Sequence, residues 1–509
     1  MFNRKFSSNI RLKRRMIRST IILLVVCLGL GYSAFTTNLG INGTLNVSKY
    51  NPKIYWALQD NDNNSINETL VLSSEEVTGV EQGNFEPNTN FISISQVPWI
   101  ATYNYSSTSN KSYNVTTVNI EKEISPISTA YWFYAVGYNA STFIANLEKL
   151  NTFQLTNMHS MFSYTGYSAT TWTVGDLSGW DISQVTDMYN MFSNAGVRAT
   201  IFNLDLSGWN TSKVTSMSYM FEWAGYNATT WTVGDLSGWN TSKVTSMEKI
   251  FQYAGRSATT WDIGDLSEWD TSKVTDMNNM FNHAGSNAIT WNIGDISGWT
   301  TSQVTDMSNM FSHVASRATT FNLDLSEWDT SKVTDMNNMF NYAAANATSW
   351  SIGDLSEWTT SQVTDMSYMF SGAGNNAIMW NIGDLSGWDT SQVTNMSFMF
   401  SYAGLKTQTF DLNLSGWDTS KVTNMNTMFY QAGSNSTTFN LNLSGWNTSQ
   451  VTNMSSMFNY VGNNITNFSL TIPQTNGNGI NNDTTHMYGS TTSTYASPPS
   501  SRTFTLASS

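Results

Sequence analysis

Cysteine, histidine and proline are scarce in this chain, which has one, four and seven of them among 509 residues. The single cysteine, Cys27, lies in an apolar stretch near the N-terminus, so no disulfide can form within the rest of the chain. No two histidines have the spacing of metal ligands, and no G-x-S-x-G, phosphate-binding-loop or dinucleotide-binding motif occurs. The sequence therefore predicts a protein without catalytic residues, metal site or cofactor.

Basic residues are also scarce, and they are unevenly placed. Seven of the 23 Lys and Arg precede residue 19, where no acidic residue accompanies them. The other 16 Lys and Arg are outnumbered by 36 Asp and Glu, so the body of the chain is strongly acidic. Such a surface repels phosphate backbones, and we expect no binding to nucleic acid. Aromatic residues nevertheless reach 13%, which argues for a packed interior.

The basic segment, residues 1–18, precedes an uncharged apolar stretch, TIILLVVCLGLGYSAF, from Thr20 to Phe35. This order is typical of a secretory signal or a membrane anchor. We assign residues 19–36 to that role and favour an uncleaved anchor, because Tyr32 stands where signal cleavage prefers a small residue. Positive charge stays in the cytoplasm, so the chain after the anchor is expected at the cell surface, or secreted if cleavage occurs.

A tryptophan recurs along the chain at steps of 29 or 30 residues, in units such as WTVGDLSGWNTSKVTSMEKIFQYAG from Trp231 to Gly255. Ten copies at a fixed period predict a solenoid, because one short unit can bury its apolar face only against its neighbours. The predicted structural Trp column consists of Trp180, Trp209, Trp239, Trp269, Trp299, Trp328, Trp358, Trp388, Trp417 and Trp446.

The first part of each unit alternates as a half-buried strand does. In the plain 29-residue unit that begins at Phe202, apolar residues at 202, 204 and 206 alternate with polar ones. The 30-residue unit, such as that of Trp231, adds one Gly, which predicts a bulge that returns Leu236 to the inward face. The aromatic residue that begins each unit, which we call the leading aromatic, is Trp in the units with Gly and Phe in the others. This difference predicts two interchangeable coil types.

The second part of each unit predicts a short helix after a turn. Between Met277 and Ala284 the apolar residues fall at i, i+3, i+4 and i+7, which is one face of a helix. Asp276 is a suitable N-cap for this helix, and Gly285 suits its end.

Stacked units place like residues over like at about 4.8 Å. With one frayed capping strand at each end, we predict about twelve coils over residues 129–472.

Alternating residues earlier in the chain predict a small β-rich extracellular domain over residues 37–128. Residues 473–509 are assigned as a C-terminal cap and flexible tail, because they are rich in Asn, Gly, Ser and Thr.

The unit LSGWDTSQVTNMSFMF, from Leu385 to Phe400, resembles the repeat of about 26 residues of BspA-like leucine-rich-repeat surface proteins of bacteria. The resemblance covers residues 131–490. It implies a leucine-rich-repeat-like solenoid with one strand, one turn and one short helix per coil. It also implies a surface-displayed adhesin or interaction module without catalytic residues. This chain departs from the group in its longer unit and in lacking an LPxTG-type wall-sorting signal.

A file of aspartates at outward strand positions is the feature that packing explains least. Like charges side by side destabilise a sheet, so their repulsion must be relieved. Water, salt and hydrogen bonds to the adjacent Ser turn are the favoured explanation, and Ca²⁺ or a cationic partner is the alternative, although one carboxylate per coil is few for calcium. The candidate partner-facing positions are Asp176, Asp205, Asp235, Asp265, Asp295, Asp324, Asp354 and Asp384.

The Trp column also has two interpretations. Its periodic place among turn and core residues favours a buried column. A solvent-exposed ladder of the same rings would instead favour carbohydrate binding.

Two functions follow from these features. The first is a binding or adhesion module whose outward strand face contacts an extracellular protein or glycan of a host or neighbouring cell. The second is a structural surface spacer or coat without a specific ligand. Enzyme activity is not expected, although residues 37–128 are too featureless to exclude it.

Overall fold

The computed structural model describes residues 53–100 and 111–461, together with the backbone of 467–472 and 503–506. This part of the chain contains no α-helix, and three single-turn 3-10 segments occur at Ile94–Gln96, Leu266–Glu268 and Leu385–Gly387. Its strands are β1 (Ile54–Gln59), β2 (Thr69–Ser73), β3 (Glu81–Phe85), β4 (Thr117–Ile120), β5 (Thr142–Asn146), β6 (Thr171–Thr173), β7 (Ile201–Asn203), β8 (Thr230–Thr232), β9 (Thr260–Asp262), β10 (Thr290–Asn292), β11 (Thr320–Asn322), β12 (Ser349–Ser351), β13 (Thr409–Asn413), β14 (Thr438–Asn442), β15 (Asn467–Ile472) and β16 (Thr503–Leu506).

The first six strands form one sheet in the order β3-β1-β2-β4-β5-β6. Strand β1 runs antiparallel to β2 and β3, whereas β2, β4, β5 and β6 are parallel. The described strands on either side of residue 128 therefore share one sheet. The boundary between a domain at 37–128 and the solenoid at 129–472 stays a prediction.

The later strands are parallel and in register from coil to coil, so that Phe202 lies opposite Trp231 and Phe410 opposite Phe439. They form the pairs β7–β8, β9–β10 and β11–β12 and the four-stranded sheet β13–β16. The predicted tandem-repeat solenoid is confirmed, as a β-solenoid of about eleven turns rather than about twelve.

The short helix predicted in each coil is wrong, because these residues form a run of turns. Asn279 and His283 have positive φ angles of 56° and 58°, as the third residue of a type II turn requires. Successive backbone N–H groups alternate between two kinds of acceptor. One donates three residues back within its coil, and the next donates to the following coil, as Phe281 does to the carbonyl of Met310 at 3.0 Å.

The stacking distance explains why a helix does not form. On the turn side the rings of Phe251 and Phe281 are 5.7 Å apart, and on the strand side those of Trp261 and Trp291 are 5.6 Å apart. An α-helix is about 10–12 Å across and does not fit between neighbours so close. The leucine-rich-repeat-like fold is therefore wrong as well. A run of turns that repeats every four residues buries the same apolar positions, which is why the pattern resembled a helix.

Columns of like side chains fill the interior of the solenoid. The rings of Trp239 and Trp269 are 6.3 Å apart with planes 2° from parallel, and those of Phe221 and Phe251 are 5.5 Å apart with planes 2° from parallel. Leu236 is fully buried, as the inserted Gly predicts. The predicted bulge within the strand is not formed, because the strand of a Gly-containing coil ends before the Gly.

Within the described residues, no helix is long and apolar enough to cross a bilayer. The basic segment at 1–18 and the anchor predicted at 19–36 lie outside the described residues, as does most of the tail predicted at 473–509.

Candidate binding surface

The eight aspartates of the file are exposed, one per coil, where the chain leaves the strand side. Each carboxylate accepts a hydrogen bond from the backbone N–H of the serine two residues later, at 2.9 to 3.1 Å. Hydrogen bonds from the backbone and side chain of Ser297 stabilise the ionised carboxylate and hold the pKa of Asp295 below its ordinary value. Each aspartate therefore caps the turn that follows it.

The inserted glycine lets the next coil close over this carboxylate. A Cβ atom at Gly264, where φ is 89°, would lie 1.9 Å from Asp235 Oδ1 of the preceding coil. In the following coil the N–H of Asp295 donates to Asp265 Oδ1 at 3.3 Å. Backbone groups of two coils thus surround such a carboxylate and offset the repulsion along the file. Hydrogen bonding to the Ser turn, one of the two explanations considered, is present in the structure.

Polar residues of the strands flank the aspartate file. Asp262, Asn292 and Asn322 are exposed in successive coils. Asn292 Nδ2 donates to Asp262 Oδ1 at 3.0 Å. We call these outward strand residues and the eight aspartates together the strand face.

The ten residues of the Trp column are buried, each with at most 9% of its surface exposed. From Trp209 onward each indole Nε1 donates to the carbonyl of a Leu or Ile in the preceding coil, as Trp269 does to Leu236 at 3.0 Å. These rings link coils together, and they present no free face for stacking on a sugar.

A second row of rings, on the turn side, was not predicted from the sequence. Trp223, Tyr253, His283, His313 and Tyr342 are half-buried and stack with ring centroids 4.2, 4.5, 4.3 and 5.2 Å apart. The signal was an aromatic residue two places after the repeated Phe. Burial lowers the pKa of His283 to about 3 and also lowers the pKa of His313, so both rings are neutral at pH 7.

One junction between coils is open on its strand side. Strands β10 and β11 are not paired, which is also true of β6 and β7 and of β8 and β9. Three flanking backbone bonds, formed at every other junction between residues 166 and 437, are also missing here, namely those donated by Ala315, Arg317 and Thr319. A cavity of about 330 Å³ lies between the two strands. We call this opening the seam.

Trp291 is the residue most affected by the seam. It is half-buried, whereas the other described leading aromatics of the repeats are buried. Its ring is tilted by 38° from that of Phe321 but by only 10° from that of Trp261. Its Nε1 is buried without a hydrogen-bond partner, as are those of Trp350 and Trp380. The turn side of the same junction stays closed, because the N–H of His283 donates to the carbonyl of Ser312 in the following coil at 2.8 Å.

The seam has a cause in the sequence. A Cβ atom at Gly285 would lie 2.5 Å from the Cβ of Trp261 in the preceding coil. Ala315 occupies the equivalent position above Trp291, with φ of 46°, and carries that Cβ atom. The coil of Ala315 therefore cannot close onto the indole.

The next junction shows that alanine alone does not open the stack. Ala344 also replaces the glycine, but the aromatic below it is Phe321. The N–H of Ala344 donates to the carbonyl of Val314 at 2.9 Å, and β11 pairs with β12. The seam occurs where an alanine lies above a tryptophan, and the junction with an alanine above a phenylalanine is closed.

One group of carboxylates in the described residues has the mutual distances of metal ligands. Oxygens of Asp60, Asp62 and Glu68 lie within 4.8 Å of one another. They already accept hydrogen bonds from their own loop, including those from the N–H groups of Asn61 and Ser65, both at 2.8 Å. The aspartate file is not part of this group.

Comparison with known proteins identifies the repeats. A protein-family model described as "Mycoplasma protein of unknown function, DUF285" matches residues 132–231, 225–351, 256–377 and 374–494. These overlapping matches together span residues 132–494. No curated protein and no solved structure matches the chain.

Proposed function

Because the chain belongs to the family described as Mycoplasma protein of unknown function, DUF285, we propose that it is a surface-displayed binding or adhesion module. The strand face is the proposed contact surface for an extracellular protein or glycan of a host or neighbouring cell. One observation carries the proposal. The apolar residues that repeat in every coil are buried, whereas the strand residues that differ between coils, such as Asp262 and Asn292, are exposed.

The charge and regularity of the strand face support this proposal. The carboxylates are held by the turns they cap, so a partner meets a preorganised surface at a small entropic cost. Their sign favours a partner that offers cations or hydrogen-bond donors. The resemblance to BspA-like surface proteins points in the same direction.

The proposal includes a location and excludes two activities. Residues 19–36 hold the chain at the membrane, with the N-terminus in the cytoplasm if this segment is uncleaved and the solenoid outside. The chain performs no catalysis, in keeping with the lack of catalytic motifs, and it binds no nucleic acid, in keeping with its acidity.

Binding of the full-length chain to a panel of extracellular-matrix proteins and glycans tests the proposal. We expect saturable binding that weakens about tenfold, or by about 1.4 kcal/mol, in the triple variant Asp235→Asn, Asp265→Asn, Asp295→Asn. The file itself carries asparagine at Asn413 and Asn442, so the fold tolerates the change.

The triple variant Asp270→Asn, Asp329→Asn, Asp389→Asn is the matched control. It removes the same charge from exposed turns away from the strand face, where each aspartate also caps a serine. Equal weakening by both variants would contradict a role for the strand face. Uniform absence of saturable binding would overturn the binding function and favour a structural spacer.

A further inference from the structure

The seam has the properties of a small-molecule site, and we propose that it binds a single neutral sugar residue of a glycan. This inference rests on the proposed function, since it names the class of partner and the place on the strand face where that partner is held.

The size and lining of the cavity define the ligand. Its volume of about 330 Å³ lies at the lower end of the range of about 300–1,000 Å³ for small-molecule sites. None of the residues that line it is charged. Apolar surface comes from Trp291, Phe321 and Ile293, and amide groups come from Asn292 and Asn322. Such a lining suits a neutral molecule with both apolar and hydrogen-bonding faces.

The lining residues can both donate and accept hydrogen bonds. Asn292 and Asn322 carry amide groups, and Thr290 and Thr320 carry hydroxyl groups. Hydroxyl groups of a ligand, which donate and accept, therefore suit this cavity better than a hydrocarbon does.

The charges near the seam disfavour an ionic ligand. Asp295 directly follows Gly294, which lines the cavity, and the carboxylate of Asp262 accepts a bond from Asn292. These carboxylates repel sulfated, phosphorylated and carboxylated sugars. They can accept hydrogen bonds from the hydroxyls of a neutral sugar.

The seam is open to solvent on the strand face. Thr290, Asn292, Thr320 and Asn322 are all exposed at its mouth. A glycan on another cell can therefore place one residue in the cavity while its remainder follows the polar strand face.

The test follows the indole N–H resonance of Trp291 in the full-length chain by NMR, assigned by its loss in Trp291→Phe. Galactose, glucose, mannose and N-acetylglucosamine are titrated as neutral probes, and sialic acid is titrated as a charged one. We expect at least one neutral sugar to shift this resonance saturably. Ala315→Gly, which removes the Cβ atom that holds the seam open, should weaken that sugar at least about tenfold.

Ala344→Gly is the matched control, because it makes the same substitution at the closed junction and should leave the affinity unchanged. Hydrogen exchange at Thr319 on the same samples reports whether the seam has closed. Asn322→Trp blocks the mouth from an exposed position and should weaken binding even if Ala315→Gly leaves the seam open.

Three results would overturn the inference: no neutral sugar shifts the Trp291 resonance, sialic acid alone shifts it, or both Asn322→Trp and a variant with a closed seam bind as the unmodified chain does. The proposed function fails separately. A matrix protein that still binds through the aspartate file, while no sugar reaches Trp291, would refute the sugar site and leave the surface proposal intact.

Discussion

Two neighbouring junctions of the solenoid have the same substitution and different structures. Ala315 and Ala344 both replace the glycine that other coils place against the aromatic of the preceding coil. Above Trp291 the three flanking backbone hydrogen bonds are missing, and above Phe321 they are formed. The open junction combines alanine with tryptophan, and the closed one combines alanine with phenylalanine. We therefore expect the leading aromatic and the small residue of the next coil to act as a pair, and we call this expectation the pairing rule.

Moving alanine above another tryptophan is the strongest way to extend the comparison. Gly285→Ala places a Cβ atom 2.5 Å from Trp261 Cβ, at a φ of 51°. We expect a second seam and a loss of about 2–4 kcal/mol in the free energy of unfolding, from left-handed strain and overpacking. Denaturant unfolding and hydrogen exchange at residues 285–289 measure both. Gly238→Ala, which meets no atom within 4 Å, is the control, and an equal loss there would contradict the pairing rule.

Replacing Phe321 by a larger aromatic residue should open the closed junction and so produce a second seam. Phe321→Trp puts an indole beneath Ala344, and we expect faster hydrogen exchange at Ala344, Asn346 and Thr348 and a loss of about 1–3 kcal/mol. Phe202→Trp makes the same change beneath Gly225, where exchange should change little. If Phe321→Trp leaves these amides protected, ring volume does not decide closure.

Removing the methyl group of Ala315 should close the seam and make the two junctions alike. Ala315→Gly allows the three missing backbone bonds to form, each worth about 0.5–1.5 kcal/mol, against a cost of about 0.5–1 kcal/mol for the freedom of glycine in the unfolded chain. We expect a net gain of about 1–2 kcal/mol by denaturant unfolding. Ala344→Gly gains no bonds and should change stability less. A larger gain at Ala344 would reverse the assignment of the seam.

The smallest expected effect is a pH dependence of stability. It comes from half-buried aspartates on the turn side, which stays closed at both junctions. Asp276 pairs with Asp306 across the seam junction, and Asp306 pairs with Asp335 across the next. Burial raises the pKa of Asp276 and of Asp335 above the ordinary value of 3.8. The folded state therefore keeps these protons to a higher pH than the unfolded chain does, and stability falls as pH rises from about 4 through the folded pKa.

Replacing Asp276 or Asp335 by Asn should stabilise the protein at pH 7 by up to about 1 kcal/mol. This gain in the free energy of unfolding should vanish below about pH 3. Thermal unfolding from pH 3 to pH 7 measures it. Asn395 occupies the equivalent place in a later coil, so the substitution is compatible with the fold. A gain that does not depend on pH would show that charge is not its cause.

The sequence predicted the parts of the fold that depend on which residues are apolar. The period of the Trp column and the alternation after Phe202 both depend on burial, and burial is what stacked coils share. The helix between Met277 and Ala284 was predicted wrongly for the same reason, since a run of turns buries the same positions. Only the spacing between coils separates the two, and spacing is a property of neighbours.

The candidate site was predictable to a similar extent. Alternation placed the aspartates outward, and they are exposed. The contact between Gly264 and Asp235 was not predictable from one unit, because its partners are in different coils. The seam was hidden for another reason. A repeat pattern that accepts either Gly or Ala before the leading strand treats Ala315 as ordinary, and its consequence depends on Trp291 in the coil below.

The seam also has a consequence for how this chain can change in length. LSEWDTSKVTDMNNMF occurs at 266–281 and again at 325–340, so recombination between the two copies removes 59 residues, or two coils. Both Trp291 and Ala315 are lost. In the shortened chain Ala344 takes the place of Gly285 and lies above Trp261. An alanine is again above a tryptophan, so we expect a gene that loses two repeats to keep one seam.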